Sequence, residues 1–359
     1  MAKKVSVNSF VEVNLSKLKD NTEVLARYLS PGVKQMAVVK ADAYGHGAVP
    51  VARAIEDQVA WFAVNDVDEG IALREGGIDA PILVFGVPTD ETAPAYPAYR
   101  LTATVSDLVH FGILRGGTQY HLNFDTGMGR LGLAEDEIPQ TEKLVEERKS
   151  ITCTGIYSHF ATAEAPGSAM AETQLERFRT IRRRFSGGWI AHMANTGGTV
   201  FYPSSHFDMV RNGIGLYGYA PGDAPVRELQ PCLRWVSHLA QVRRIRKGET
   251  VSYGARWKAP EDGYIGTVPV GYEEGIPRLL TGNLDVAIAE TRYPVVGTVT
   301  MNFIMVYLGP SKIYETGTPV ELLGPHAQTA DEWARRSQTI AYEILTGISE
   351  RVPRRHVAD

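Results

Sequence analysis

The sequence predicts an α/β fold: an N-terminal (β/α)8 barrel of the TIM type followed by a mostly β C-terminal domain. At 359 residues the chain is long for a single core, which suggests a barrel with an appended domain or two domains. From Asn14 onward, helical apolar spacing alternates with short β-branched runs, the mark of repeated βα units. After about Pro221 the pattern changes to short strands separated by Gly, Pro and Asp, which predicts a β-rich region. The expected division is a barrel over 10–225, with 1–9 and 226–359 forming the β-rich domain.

The first dozen residues, with Val5, Val7, Phe10, Val11 and Val13, read as a strand returning to the second domain. Leu15, Leu18, Thr22, Leu25 and Leu29 then fall on one helical face. Eight apolar strands follow: Val33–Val39, Trp61–Asn65, Pro81–Gly86, Leu101–Val105, Gln119–Asp125, Thr152–Ser158, Trp189–Asn195 and Phe207–Arg211. Asp66 followed by Glu69 resembles a capping box ahead of Ile71-Ala72-Leu73. Eight such units in roughly 220 residues match a (β/α)8 barrel. Leu233–Arg246, Thr250–Tyr253, Tyr264–Val270, Leu284–Ala289, Tyr293–Val299, Phe303–Leu308 and Val320–Leu323 read as the later strands, and Asp331–Leu345 as a terminal helix.

Composition narrows the class. Hydrophobic content of 44% with 22% charged residues is ordinary for a soluble globular protein, and a net charge of −4 gives no electrostatic case for nucleic acid. Arg182-Arg183-Arg184 lies late in a helical pattern, where basic side chains complement the helix end. Cys153 and Cys232 are too few for a metal site or a disulfide framework. No apolar run approaches the ~20 residues of a membrane span, and the amino terminus lacks an apolar signal core. A cytoplasmic protein with reduced thiols, without membrane or nucleic-acid partners, is expected.

Lys40 ends the apolar run Met36-Ala37-Val38-Val39 and is followed by Ala41-Asp42-Ala43-Tyr44-Gly45-His46-Gly47. A lysine at the end of a buried strand either snorkels its ammonium to water or, when desolvated, loses protons toward neutral pH and becomes a nucleophile for carbonyl carbon. In a barrel the chemistry gathers at the C-terminal ends of the strands. There the sequence also places Arg130, His159, Asn195 with Thr196, and Arg211. Each alone has a structural explanation, but five such positions on one rim point to a site.

The string from Ala37 to Gly47 resembles the pyridoxal-phosphate (PLP) motif of the alanine racemase family, and the rim segments resemble it in order and spacing over nearly the whole chain. The resemblance implies that Lys40 carries PLP as a Schiff base and that Tyr44 binds its phosphate with Asn195, Thr196, Gly213 and Ile214. It implies that His159 lies against the pyridine ring and that Arg211 faces its nitrogen. Arg130 would contact the cofactor hydroxyl and the substrate carboxylate. An arginine cannot surrender its proton, so a pyridine nitrogen facing it stays unprotonated and is a weaker electron sink, which favours racemisation over transamination. Val251-Ser252-Tyr253-Gly254 matches the motif of the second acid and base, a tyrosine supplied by the other subunit, so a homodimer with composite sites is implied. A phenol serving as a base needs supporting neighbours, and His192 is the matching candidate. Tyr272 resembles a residue of the substrate corridor, and Met301 one that approaches the substrate carboxylate.

Four positions depart from the family pattern. Asn123 stands where many relatives carry a carbamylated lysine, and a chloride beside Asn123 and Arg130 is the expected replacement. Asn302 stands for aspartate and Thr298 for arginine. Glu350 stands where a tyrosine is expected to touch the phosphate, and it either turns away or answers a cationic group. The implied activity is an amino-acid racemase interconverting L- and D-alanine by a two-base mechanism through Lys40 and Tyr253. The alternatives are a racemase of serine or of a larger or cationic amino acid, and a PLP barrel decarboxylase.

Overall fold

The computed structural model describes residues 8–185, 187–222, 226 and 228–358. The expected strand residues Val5 and Val7 and the amino-terminal Met1–Lys4 lie outside the described residues. The chain divides into two compact units, one of Lys17–Ala43 with Gly47–Gln230, the other of Met1–Ser16, Tyr44–His46 and Pro231–Asp359. A boundary at residue 10 is therefore displaced: strand β1 (Phe10–Asn14) pairs with strands of the second unit, and Tyr44–His46 joins that unit as well.

The first unit is a closed parallel barrel of eight strands. They are β2 (Lys34–Val38), β3 (Trp61–Val64), β4 (Ile82–Val84), β5 (Leu101–Val105), β6 (Gln119–Asn123), β7 (Thr152–Tyr157), β8 (Ile190–His192) and β9 (Met209–Asn212). Closure is made by β9 on β2, with Met36 opposite Arg211 and Ala37 opposite Asn212. β3, β4, β5 and β9 are buried at every residue, as expected when helices cover the outside and side chains fill the inside. Val and Ile stiffen these strands and pack without polar atoms to satisfy. The expected helical face appears in Leu15–Ala26, where Leu18, Thr22 and Leu25 are buried. Two of the polar side chains inside the barrel are tied across strands: Asn212 Nδ2 donates to Gln35 Oε1 at 2.9 Å, and Thr104 Oγ1 donates to the Val84 carbonyl at 2.6 Å.

The second unit is built on a nine-stranded sheet. Its remaining strands are β10 (Leu233–His238), β11 (Gln241–Ile245), β14 (Gly263–Val268), β15 (Asp285–Ile288), β16 (Thr291–Val296), β17 (Ile304–Gly309), β18 (Pro319–Leu323) and β19 (Arg354–Val357); β12 (Thr250–Val251) and β13 (Trp257–Lys258) form a separate ribbon. The sheet order is β11-β14-β17-β16-β15-β18-β10-β1-β19.

Two expected elements are corrected here. The run Leu233–Arg246 is two strands, because the amide of Leu239 bonds the Thr318 carbonyl while that of Ala240 bonds the Thr267 carbonyl, and the chain passes from one partner to another. The terminal helix is also two, Ala330–Ser337 and Ala341–Thr346, interrupted where Gln338 adopts a left-handed φ of 58°. Trp333, Ile344 and Leu345 are buried nonetheless, whereas Ile340 is exposed.

Candidate active site

Lys40 opens a helical turn, Lys40–Gly45, whose hand is reversed. Ala41, Asp42, Ala43 and Tyr44 have φ of 52°, 51°, 53° and 53°. A left-handed turn costs L-residues roughly 1–2 kcal/mol each, so this segment persists only because its surroundings over-determine it. The amide of Ala43 bonds the Val39 carbonyl, the amide of Gly47 bonds the Asp42 carbonyl, and the Asp42 carboxylate accepts from the Ala48 amide at 2.7 Å. Gly45 (φ 79°) closes the turn, where a β-carbon would lie 2.6 Å from the Leu345 carbonyl oxygen. The half-buried Lys40 amine is held below the ordinary lysine range by burial and then by the Arg130 guanidinium, with Glu69 acting the other way.

Inside the barrel, Arg211 is 2% exposed and anchors a chain of imidazoles. It lies 2.7 Å from His192 Nδ1 and 3.1 Å from His159 Nδ1, and it donates to the carbonyls of Ser158 at 2.8 Å and Met193 at 3.0 Å. Because guanidinium only donates, both imidazoles accept, and each carries its proton on Nε2. His192 Nε2 then donates to His121 Nδ1 at 2.9 Å, leaving the proton of His121 on an Nε2 that has no protein partner. Tyr157 stacks on His192 at 4.8 Å with planes 8° apart, and its hydroxyl lies 3.1 Å from Thr104 Oγ1.

All three histidines are neutral. His121 is pushed down to about 3, and His159 and His192 fall well below the histidine range, in each case by burial first and Arg211 second. Arg211 is drawn down to about 10 by burial and stays protonated at neutral pH. Both ring nitrogens of His192, the candidate support for Tyr253, are engaged within the barrel, Nδ1 by Arg211 and Nε2 by His121.

The other rim residues are placed as follows. The Asp125 carboxylate accepts from the amides of Gly127 and Met128 at 2.8 Å and of Gly129 at 3.0 Å, which fixes the loop bearing Arg130. Arg130 is exposed, and among the described residues no carboxylate pairs with it. Asn123 is buried and donates to Ser106 Oγ at 3.2 Å and to the Leu131 carbonyl at 3.1 Å, so both of its N–H groups are engaged. Asn195 caps the helix Thr196–Phe201 by accepting from the Gly198 amide at 2.9 Å. Thr196 Oγ1 accepts from the Gly213 amide at 3.0 Å, which leaves its hydroxyl proton to donate. Ile214 is buried beside Gly213 in the chain.

In the second unit, Tyr253 stands on a turn with left-handed φ at Ser252 (66°), Gly254 (75°) and Ala255 (46°). Two reciprocal bonds clamp it: Ser252 Oγ donates to the Thr298 carbonyl at 2.8 Å, and Thr298 Oγ1 donates to the Tyr253 carbonyl at 2.9 Å. The Tyr253 side chain is 75% exposed. Tyr272 and Met301, both exposed, are tied together by the Tyr272 amide on the Thr300 carbonyl and the Glu273 amide on the Met301 carbonyl, each 3.0 Å. Asn302 Nδ2 donates to Glu274 at 3.2 Å.

Glu350 is exposed and takes no hydrogen bond or ion pair among the described residues. The aromatic neighbour of the buried Tyr44 is Tyr342, with ring centroids 5.8 Å apart, and burial followed by Tyr342 pushes the Tyr44 phenol up. Tyr342 was missed in the sequence. It was hidden in the run assigned to the terminal helix, and its one signal was an aromatic just after the break that splits that helix.

The donor set matches the chemistry of PLP: one desolvated amine, a hydroxyl with a proton free to give beside a backbone turn, a buried guanidinium and a neutral imidazole bonded to it. Residues 13–221 match the family profile "Alanine racemase, N-terminal domain" and residues 232–356 match "Alanine racemase, C-terminal domain". The chain is 38% identical over 363 residues to an alanine racemase of Symbiobacterium thermophilum, covering 96% of each. It is similar to the solved alanine racemase of Clostridium difficile 630, with a TM-score of 0.94 and 31% identity over 99% of this chain and 97% of that one. It is also similar to the alanine racemase of Bacillus anthracis solved with bound L-Ala-P, with a TM-score of 0.90 and 32% identity over 98% of this chain and 95% of the other.

Proposed function

This chain belongs to the alanine racemase family, and from that premise we propose that it interconverts L- and D-alanine with PLP, using Lys40 and the Tyr253 of a second subunit as its two acid–base groups. The observation that carries the reading is the Lys40 amine, held on a strained turn at the barrel rim and depressed by burial and by Arg130. PLP, when bound, stabilises negative charge at the substrate α-carbon. Lys40 would hold it covalently. Thr196, the backbone at Gly213 and Ile214, Asn195, and Tyr44 would hold the phosphate. Arg211 would face the pyridine nitrogen, and the imidazole network keeps its guanidinium fixed and charged, so it donates and never protonates that nitrogen. His159 lies against the ring in this reading. Arg130 binds the substrate carboxylate, with Met301 and Tyr272 on the approach.

Lys40 takes or returns a proton on one face, and the Tyr253 phenol does so on the other. A homodimer follows as part of the proposal, since an exposed catalytic phenol has to be completed by a second chain. Alanine is favoured over serine or a cationic amino acid because the departures from the family pattern are accounted for elsewhere. The Thr298 hydroxyl is bonded to the Tyr253 carbonyl, Asn302 to Glu274, and Glu350 is exposed. Chiral chromatography of the PLP-loaded protein with alanine, serine, lysine and ornithine tests this. Alanine should give the highest kcat/KM, and Glu350→Tyr should leave the ratios unchanged. A higher kcat/KM for any other amino acid overturns the substrate assignment.

A chloride on Arg130 is the second element of the proposal. Among the described residues the guanidinium has no carboxylate partner, and Asn123 has no amine to carbamylate. Because both N–H groups of Asn123 are engaged, the anion would rest on Arg130. Crystals grown in bromide should show an anomalous peak in contact with Arg130, and no peak at that position removes the idea.

A further inference from the structure

The Asp66–Glu69 pair was expected to form a capping box, in which the Glu69 carboxylate returns to the amide of the cap residue. Half of it forms, since the Asp66 side chain accepts from the Glu69 amide at 3.0 Å. The Glu69 carboxylate goes elsewhere. One oxygen accepts from the Asn65 amide at 2.6 Å, and the other accepts from the amide of Ala41, the residue that follows Lys40. A single side chain thus ties the end of β3 to the first residue of the left-handed turn.

We propose that Glu69 is a positioning residue for the reaction: its carboxylate bridges the Asn65 and Ala41 amides, holding the left-handed turn that carries Lys40 and setting a negative charge against the first amide of that turn. The inference rests on the reading of Lys40 as the residue that carries PLP. Two observations support it independently of each other. The turn comprises four non-glycine residues with positive φ, Ala41 to Tyr44, and a strained segment needs external bonds to stay populated. Glu69 provides the charge-assisted bond at its start, the stronger kind of amide contact. The groups facing Lys40 are otherwise cationic or neutral: Arg130 disfavours its charged form, and His159 is itself held neutral by burial, Arg211, Arg130 and Lys40. Among the described residues Glu69 is the negative group that acts on the amine, in the direction opposite to burial.

The sign of the effect follows directly. A carboxylate stabilises the protonated form of a nearby nitrogen. Removing its charge makes the Lys40 nitrogen shed its proton at lower pH.

The decisive variant is Glu69→Gln, which keeps the shape and removes the charge, while one of the two amides loses its acceptor to the glutamine NH2. In the PLP-loaded protein, the pH titration of the visible cofactor absorbance should move its midpoint down by about one pH unit, the low end for a carboxylate at close range and partly exposed. Racemisation should lose about tenfold in kcat with little change in KM. Glu69→Asp, which keeps the charge on a shorter side chain, should recover most of the midpoint but not the full kcat. Glu69→Ala should repeat the Gln midpoint and lower Tm further than Gln does, since it leaves both the Ala41 and the Asn65 amide without an acceptor.

A Glu69→Gln midpoint equal to that of the parent overturns the proposal, whatever happens to Tm, because a structural glutamate would move stability alone. Failure of the underlying reading looks different: the parent protein itself would then show no cofactor absorbance depending on Lys40.

Discussion

Lys40→Ala should abolish racemisation, with a loss of about ten-thousand-fold or more, and the dialysed protein should carry no visible cofactor absorbance. Proton transfer by a positioned group accounts for about 10²–10⁴ of rate, and the variant loses the covalent attachment of the cofactor as well. The fold should survive. No hydrogen bond or ion pair to the Lys40 side chain stands to be broken among the described residues, and removing an amine that burial disfavours relieves a desolvation cost. The measurement is a pair, an absorbance spectrum after dialysis and chiral analysis of L-alanine incubated with the variant, with circular dichroism to show that the barrel is intact. Retention of both absorbance and activity would remove Lys40 from the mechanism. Retention of absorbance alone would mean that binding energy from the phosphate groups suffices without the lysine.

Tyr253→Phe is expected to have the second largest effect, and its character matters more than its size. The substitution deletes only a hydroxyl from a ring that is 75% exposed. The turn beneath it should hold, because the Thr298 hydroxyl bonds the carbonyl of Tyr253 and Ser252 bonds the carbonyl of Thr298. A phenol acting as acid and base on one face should, when lost, reduce racemisation by about 10²–10⁴. The α-proton of one enantiomer should still exchange with deuterated water through Lys40, while that of its mirror image should be nearly silent. Deuterium incorporation into each pure enantiomer, followed by mass spectrometry, reads this directly. Equal loss for both would make Tyr253 a packing residue and leave the second proton donor to be found elsewhere in the chain.

These two residues also differ in how they could be recognised. Lys40 was legible because a charged residue ended an apolar run within an extended motif. Tyr253 was legible only through its four-residue motif, since an alternating strand pattern carries many tyrosines. The barrel strands were readable for a physical reason: parallel strands buried on both faces are apolar throughout, so their positions survive any register. Antiparallel runs were harder. The join between β10 and β11 and the break at Gln338 depend on which partner each backbone amide meets, and neither is written in local composition.

The site shows the same division. Arg211, His159 and Thr196 were found because strand ends in a barrel converge, a rule that needs only the order of elements. Their pairing was not readable. That His192 accepts from Arg211 and donates a hydrogen bond to His121, a residue of β6 some seventy positions away, follows from three strands closing on one axis. That Tyr342 is a ring beside Tyr44 was not readable, because spacing along a chain says nothing about which ring reaches it.

By itself the sequence determined the barrel and the β-rich domain, the family, and the residue types at the rim, because burial periodicity and motifs are local properties of the chain. Only the tertiary structure decided the left-handed turn at Lys40, the diversion of Glu69 from its cap to that turn, and the neutral imidazole chain behind Arg211. Each depends on hydrogen bonds between segments remote in sequence, and a buried donor takes whichever acceptor the closed fold brings within about 3 Å.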